Sequence, residues 1–168
     1  MPKILSFDQS TKLSAYSWWE DGVYIESGYI DLHKNKNTTE RVKEMGIELC
    51  NTISKFEPDI VVIEEVAQQS NAQTLKLLAR IQGIIIGFCA AHNIGTYIVE
   101  PSKWRSALHF KIGAGVKREE LKAQAIKYVK DTYGLDLCED ECEATCIGEA
   151  AHKIYKFGVK SKDIDIES

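Results

Sequence analysis

The chain has few prolines and no overall excess of positive charge. Three prolines in 168 residues leave long stretches free to form regular elements. No stretch reaches the ~20 consecutive apolar residues of a membrane span. The longest apolar run, around Gly83–Ala91, is broken by glycines and a cysteine and follows a charged amphipathic segment, so it reads as a buried helix. There is no repeat, low-complexity tract or linker, and the N-terminus enters a strand pattern directly, with no secretory leader expected. His33, His92, His109 and His152 show neither metal nor triad spacing. Five cysteines, an odd number without an oxidising context, point to reduced thiols in a cytoplasm rather than a disulfide framework. Cys138, Cys142 and Cys146 fall at i, i+4 and i+8 but lack a fourth cysteine or a matching histidine. They read as small buried thiols, not a zinc site.

At this length the expectation is one domain over residues 1–160, with 161–168 a loose tail. A formal net charge of −4 argues at first against a polyanionic partner, but the charge is uneven. Residues 101–130 carry eight basic side chains against Glu119 and Glu120, whereas residues 131–168 carry ten acidic against four basic. A basic tract beside an acidic cluster suits a metal-dependent enzyme acting on a polyanion. Two solvated helix faces of opposite sign explain the charge alone equally well.

What is present reads first as strands. Lys3–Gln9, Leu13–Glu20 and Val23–Asp31 are rich in β-branched and aromatic residues, and Asp21-Gly22 is a hairpin signal. Three antiparallel strands follow. Thr38–Phe56 has helical spacing at Val42, Met45, Leu49 and Ile53, with Thr38 or Thr39 as cap and Pro58 beyond its end. Asp59–Val66 is a continuous apolar run that suits a central strand. Asn71–His92 predicts a long helix, Gly95–Val99 another buried strand, and Lys117–Tyr133 and Glu139–Phe157 two further helices. The order β-β-β-α-β-α-β-α-α predicts an α/β mixed sheet, three antiparallel strands then two parallel ones, with helices packed on it.

The acidic residues carry the chemistry. Asp8 lies inside the first strand, where a carboxylate is costly to desolvate unless it meets a cation. Glu64 ends the run Val-Val-Ile-Glu at the carboxyl end of a strand, where ligand sites of open α/β sheets gather. Asp140 and Glu143 lie about 60° apart on one helix, on the stripe continued by Ile147, Ala150, Ala151 and Ile154. Cys142, Glu149, His152 and Lys153 fall on the opposite stripe. The acidic pair therefore faces the sheet, whereas Glu139 and Glu141 fit an ordinary solvated helix start. Four carboxylates held together need hard cations, Mg²⁺ or Mn²⁺ rather than zinc. Two such ions ~4 Å apart suit phosphodiester hydrolysis.

Asp8 in Ile-Leu-Ser-Phe-Asp-Gln-Ser, Glu64 in Val-Val-Ile-Glu-Glu-Val and Asp140-x-x-Glu143 in Asp-Glu-Cys-Glu-Ala-Thr-Cys-Ile-Gly-Glu-Ala resemble, in order, the motifs of the RuvC group of junction-resolving endonucleases. Pro101-Ser102 with Arg105, and Lys122-Ala-Gln-Ala, resemble the family's basic segment. The resemblance covers nearly the whole chain. It implies an RNase H-like fold with helices on both faces, and a homodimer with Mg²⁺ or Mn²⁺ that nicks opposed strands of a four-way junction. It makes Asp8, Glu64, Asp140 and Glu143 the metal ligands and Lys122 the active-site lysine. Lys122 also lies on the inward stripe of its own helix, with Leu121, Ala125 and Val129. Lys103, Trp104, Arg105, Lys111, Lys117 and Arg118 are the expected DNA contacts, Trp104 as the aromatic among them. Trp18 and Trp19 point to opposite faces of their strand, one to the core and the other to a dimer, DNA or open edge.

Two positions depart from the family pattern. Glu143 stands where aspartate is usual. Ala67-Gln68-Gln69-Ser70 stands where bacterial members carry an aromatic wedge. The second departure predicts relaxed junction and sequence selectivity, as in a phage-type enzyme that also takes forks and flaps in a bacterial or phage-infected cell. An RNA-directed relative on the same fold, processing ribosomal RNA, is not separated by these residues. A non-catalytic branch binder gains nothing from carboxylates that repel phosphate. Asp8-Gln9-Ser10-Thr11 also resembles the phosphate loop of actin-like kinases, but those proteins close two such domains on ATP.

Overall fold

A computed structural model describes residues 1–67 and 71–157; the expected tail at 161–168 and residues 68–70 lie outside the described residues. Five strands form one sheet: β1 (Ile4–Asp8), β2 (Leu13–Glu20), β3 (Val23–Asp31), β4 (Ile60–Glu64) and β5 (Gly95–Val99). Their order is β3-β2-β1-β4-β5, with β1, β2 and β3 antiparallel and β4 and β5 parallel to β1. The helices are α1 (Thr38–Phe56), α2 (Ala72–Ala91), α3 (Pro101–Ala107), α4 (Arg118–Tyr133) and α5 (Glu139–Tyr155). The mixed sheet expected from the strand patterns is the one observed.

The turn between β2 and β3 is a two-residue hairpin in which Asp21 and Gly22 both take positive φ, at 50° and 76°. That geometry matches the twist of the flanking strands and explains why Asp-Gly sits there. Asn37, rather than either threonine, caps α1 by accepting from the Glu40 amide. At the other end Glu57 takes the left-handed conformation and closes the helix just before Pro58.

The period-two alternation of β1 and β4 divides two cores. Leu5, Phe7, Val61 and Ile63 pack with Met45, Leu49 and Ile53 of α1 and Ile81, Ile85 and Cys89 of α2. Ile4 and Val62 pack on the other face with α3, α4 and α5. Because both faces are covered, Trp18 and Trp19 are both buried, one in each core, and neither forms the free contact anticipated for one of them.

Three further expectations change. α2 is buried only along Ile81, Ile85 and Cys89, with Lys76, Arg80, Gly83 and Gly87 exposed. By length and composition it is apolar enough to cross a membrane, more than the sequence reading allowed. β5 is an edge strand that leaves Tyr97 and Ile98 partly exposed, because nothing pairs beyond it among the described residues. Pro101–Ala107, left without structure in the sequence reading, is a helix that begins on proline, a favoured first position.

The centre of the molecule is α5, which touches β1, β2, β3, β4, α3 and α4. Cys142, placed on its outer stripe from sequence, is buried as well, because α4 covers that side. The helix lies close on the sheet at Gly148, where an added Cβ would come within 2.7 Å of Ser6 Oγ and overlap the Trp19 indole. Ser6 Oγ and Ser17 Oγ both donate to the Ala144 carbonyl, at 2.8 and 3.1 Å. These buried bonds pin α5 beside the strand that carries Asp8.

Candidate active site

Ile4, Ser6 and Asp8 share the α5 face of β1, and Val62 and Glu64 share the same face of β4. The parallel register pairs Phe7 with Ile63, so Asp8 and Glu64 end neighbouring strands side by side. Helix α5 brings Asp140 and Glu143 in from above. One carboxylate oxygen from each of Asp8, Asp140 and Glu143 lies within 4.8 Å of the others, and all three side chains are half-buried. Glu64 lines the same cleft. The four acidic residues singled out from sequence thus converge.

Their electrostatics are those of an unneutralised cluster. Burial, and next the charges of Glu143, Glu64 and Asp140, hold the Asp8 carboxyl well above the usual range. Burial also raises Glu64, against the opposing effects of a Trp104 hydrogen bond and the Arg105 charge. Hard, closely spaced carboxylate oxygens whose mutual repulsion disfavours ionisation match the donor set of a divalent cation.

The short helix α3 supports two of the four. Trp104, fully buried, donates its indole N–H to Glu64 Oε2. Arg105 places a guanidinium nitrogen 3.7 Å from Glu143 Oε1 while its plane lies over the Trp104 ring. Trp104 was expected to touch DNA; with no exposed surface it instead orients a site carboxylate, and its place in the basic tract reflects α3 alone. Nothing in the apolar periodicity marks this role, although Pro-x-x-Trp after a strand end signals a helix start.

A cleft of about 720 Å³ surrounds the carboxylates. Lys122 and Arg118 of α4, Arg105 and Lys12 enter its wall. Lys122 is paired with Glu139, so the inward lysine meets negative charge at the edge of the site. Lys117 is exposed at the N-cap of α4 and Lys111 is exposed beside Gln124, neither lining the cleft. Lys103 points its ammonium over the Tyr155 ring, 5.5 Å from its centre, also outside the cleft. The cleft further takes in Ser10 and Thr11, named from sequence only for their likeness to a kinase phosphate loop, and Arg41, which the sequence reading did not single out.

The profile of the family described as "Crossover junction endodeoxyribonuclease RuvC" matches residues 17–131, a span that includes Glu64 and the basic segment but not Asp8, Asp140 or Glu143. A protein of that name from Caldicellulosiruptor saccharolyticus is 28% identical over 138 residues, covering 79% of this chain and 80% of its own. Another from Alkaliphilus metalliredigens is 26% identical over 140 residues, covering 81% and 84%. Among solved structures, T. thermophilus RuvC in complex with a Holliday junction substrate superposes with a TM-score of 0.73 at 13% identity, covering 93% of this chain and 96% of that one. The yeast mitochondrial Holliday junction resolvase Ydc2 superposes at 0.56 and 17% identity, covering 89% and 77%. The fold is that of the RNase H-like resolvases. With the family profile spanning more than half its length, the chain belongs to the RuvC family.

Proposed function

We propose that this protein is a divalent-metal-dependent endonuclease that hydrolyses phosphodiester bonds in Holliday junctions and other branched DNA. The observation that carries the reading is the convergence of Asp8, Asp140 and Glu143 within 4.8 Å, with Glu64 beside them, in a cleft that also holds Arg105, Arg118 and Lys122. Family membership supplies the substrate class.

Asp8, Glu64, Asp140 and Glu143 are the residues that would hold Mg²⁺ or Mn²⁺. Bound there, two such ions supply an activated water and neutralise charge at the phosphate. The protein's own groups do the rest. Trp104 fixes the Glu64 carboxylate, and Arg105 steadies Glu143. Lys122 exchanges Glu139 for the negative charge that develops on the phosphoryl oxygens, an electrostatic contribution to the transition state. Arg118, with Lys117 at the helix start, holds the phosphates on either side.

The unit acting this way is residues 1–160, as chain length suggests; that it works as a homodimer whose two sites cut opposed strands rests on the family. Relaxed selectivity for forks and flaps rests on the absence of an aromatic from Ala67 to Ser70, of which only the exposed Ala67 is among the described residues. The setting is the cytoplasm of a bacterial or phage-infected cell, where such DNA is found.

The experiment is to incubate the protein and its Asp8→Asn variant with four-way junction, flap, linear duplex and structured RNA, with Mg²⁺ and with chelator. Metal-dependent cutting of branched DNA by the parent alone is expected. Cutting of RNA in preference, or equal cutting of linear duplex, overturns the substrate assignment.

A further inference from the structure

We propose that Arg41 of α1 is a phosphate-binding residue of the cleft, holding the nucleic-acid backbone on the side of the sheet opposite α4. This rests on the nuclease reading and adds a contact that the basic segment does not supply.

Arg41 is a buried cation without a counter-ion. It is 7% exposed, yet among the described residues no carboxylate lies within ion-pair distance of it. One terminal nitrogen donates to the Asn35 carbonyl at 2.9 Å, and Nε is buried with no partner at all. The acidic residue one turn along, Glu44, is instead engaged by the Asn35 side-chain amide at 2.9 Å. A guanidinium so placed bears the cost of desolvation without its return.

The side chain is also aimed at a defined place. Arg41 lines the cleft that contains Asp8, Asp140 and Glu143, next to the β1–β2 turn residues Ser10, Thr11 and Lys12. Arg105, Arg118 and Lys122 enter that cleft from α3 and α4, on one face of the sheet, whereas α1 lies on the other. Arg41 therefore carries positive charge around the strand ends to the far flank. A planar fork with open N–H groups suits a phosphate better than a single carbonyl. Its position follows from sequence: Arg41, Met45 and Leu49 are four residues apart on the inward stripe of α1, so the arginine must turn up toward the strand ends as the leucine and methionine enter the core.

The test measures four-way junction binding as a function of salt, in the Asp8→Asn background so that cutting does not intervene. Each phosphate contact contributes roughly 0.9 to the slope of log affinity against log salt. Arg41→Gln is expected to weaken binding about fivefold to tenfold and to reduce the slope by about one. Arg41→Lys should keep the slope, since the charge remains, but bind about threefold more weakly for loss of the fork. An unchanged slope in a folded Arg41→Gln protein, with or without a lower melting temperature, overturns the proposal and leaves the tie to Asn35 as the residue's whole role. If Arg41→Gln does not fold, Arg41→Lys decides: affinity equal to the parent overturns it. A parent that binds neither junction nor RNA removes the nuclease reading itself, and this site with it.

Discussion

Trp104 donates its indole N–H to Glu64 Oε2 from a position with no solvent exposure, so a site carboxylate is oriented by a group that the substrate cannot reach. Hydrogen bonds to charged groups are worth about 1.5–3 kcal/mol, and partners that orient metal-ligating side chains commonly change metal affinity by about 10–100-fold. Trp104→Phe keeps most of the volume and removes the donor. It should raise the Mg²⁺ concentration needed for half-maximal cleavage about tenfold or more, with junction affinity unchanged. An unaltered metal requirement would reduce Trp104 to packing.

The Asp8 carboxyl is held above its ordinary range by burial and by its three acidic neighbours. The metal-free folded state therefore keeps a proton that the unfolded chain releases near pH 3.9. Stability is fullest below that value and is lost as pH rises through the folded pKa. In chelator, the melting temperature should fall as pH rises above the ordinary carboxylate range, and added Mg²⁺ should abolish the fall. Asp8→Asn should flatten the curve and melt above the parent at neutral pH without metal. A melting temperature that rises with pH in chelator contradicts the cluster.

Lys122 is paired with Glu139 at the edge of the cleft. Lys122→Ala should lower the single-turnover rate about a hundredfold, as removal of a transition-state charge does, while changing junction affinity less than threefold. Lys117→Ala, from an exposed residue outside the cleft, should do the reverse, weakening binding and flattening its salt dependence. Equal turnover in Lys122→Ala and parent would return Lys122 to a structural role.

Gly148 allows α5 to approach the Ser6 and Trp19 side chains more closely than any Cβ permits. Gly148→Ala should cost about 1–3 kcal/mol, the usual range for overpacking, and lower the melting temperature by several degrees. Because Asp140 and Glu143 ride on the same helix, cleavage should fall in the protein that remains folded. A stable, fully active alanine variant would mean that the helix slides without consequence.

How much of this is legible in the sequence follows from which interactions are local. Asp8 and Glu64 stand at strand ends that period-two alternation locates, and Asp140 with Glu143 share a stripe set by helical periodicity. The convergence could therefore be read from two periodicities and the strand order. Trp104 could not: its place among lysines and arginines suggested the surface, and only the seven-residue α3, too short for a periodic signal, turns it inward. The exposed edge of β5 is hidden because its apolar run resembles that of β4, and only pairing reveals that β4 has neighbours on both sides while β5, among the described residues, has one. Arg41 stands outside the apolar spacing of Val42, Met45, Leu49 and Ile53 that marks α1, although it lies four residues before Met45 on the inward stripe.

Glu143 reaches Asp8 across almost the entire length of the polypeptide, through a helix bound to the first two strands by Ser6 and Ser17. A chain still emerging from the ribosome, or one cut short before α5, holds Asp8 and Glu64 but not their partners. Synthesis thus supplies the second half of the carboxylate cluster last, and a copy ending before α5 should not cut.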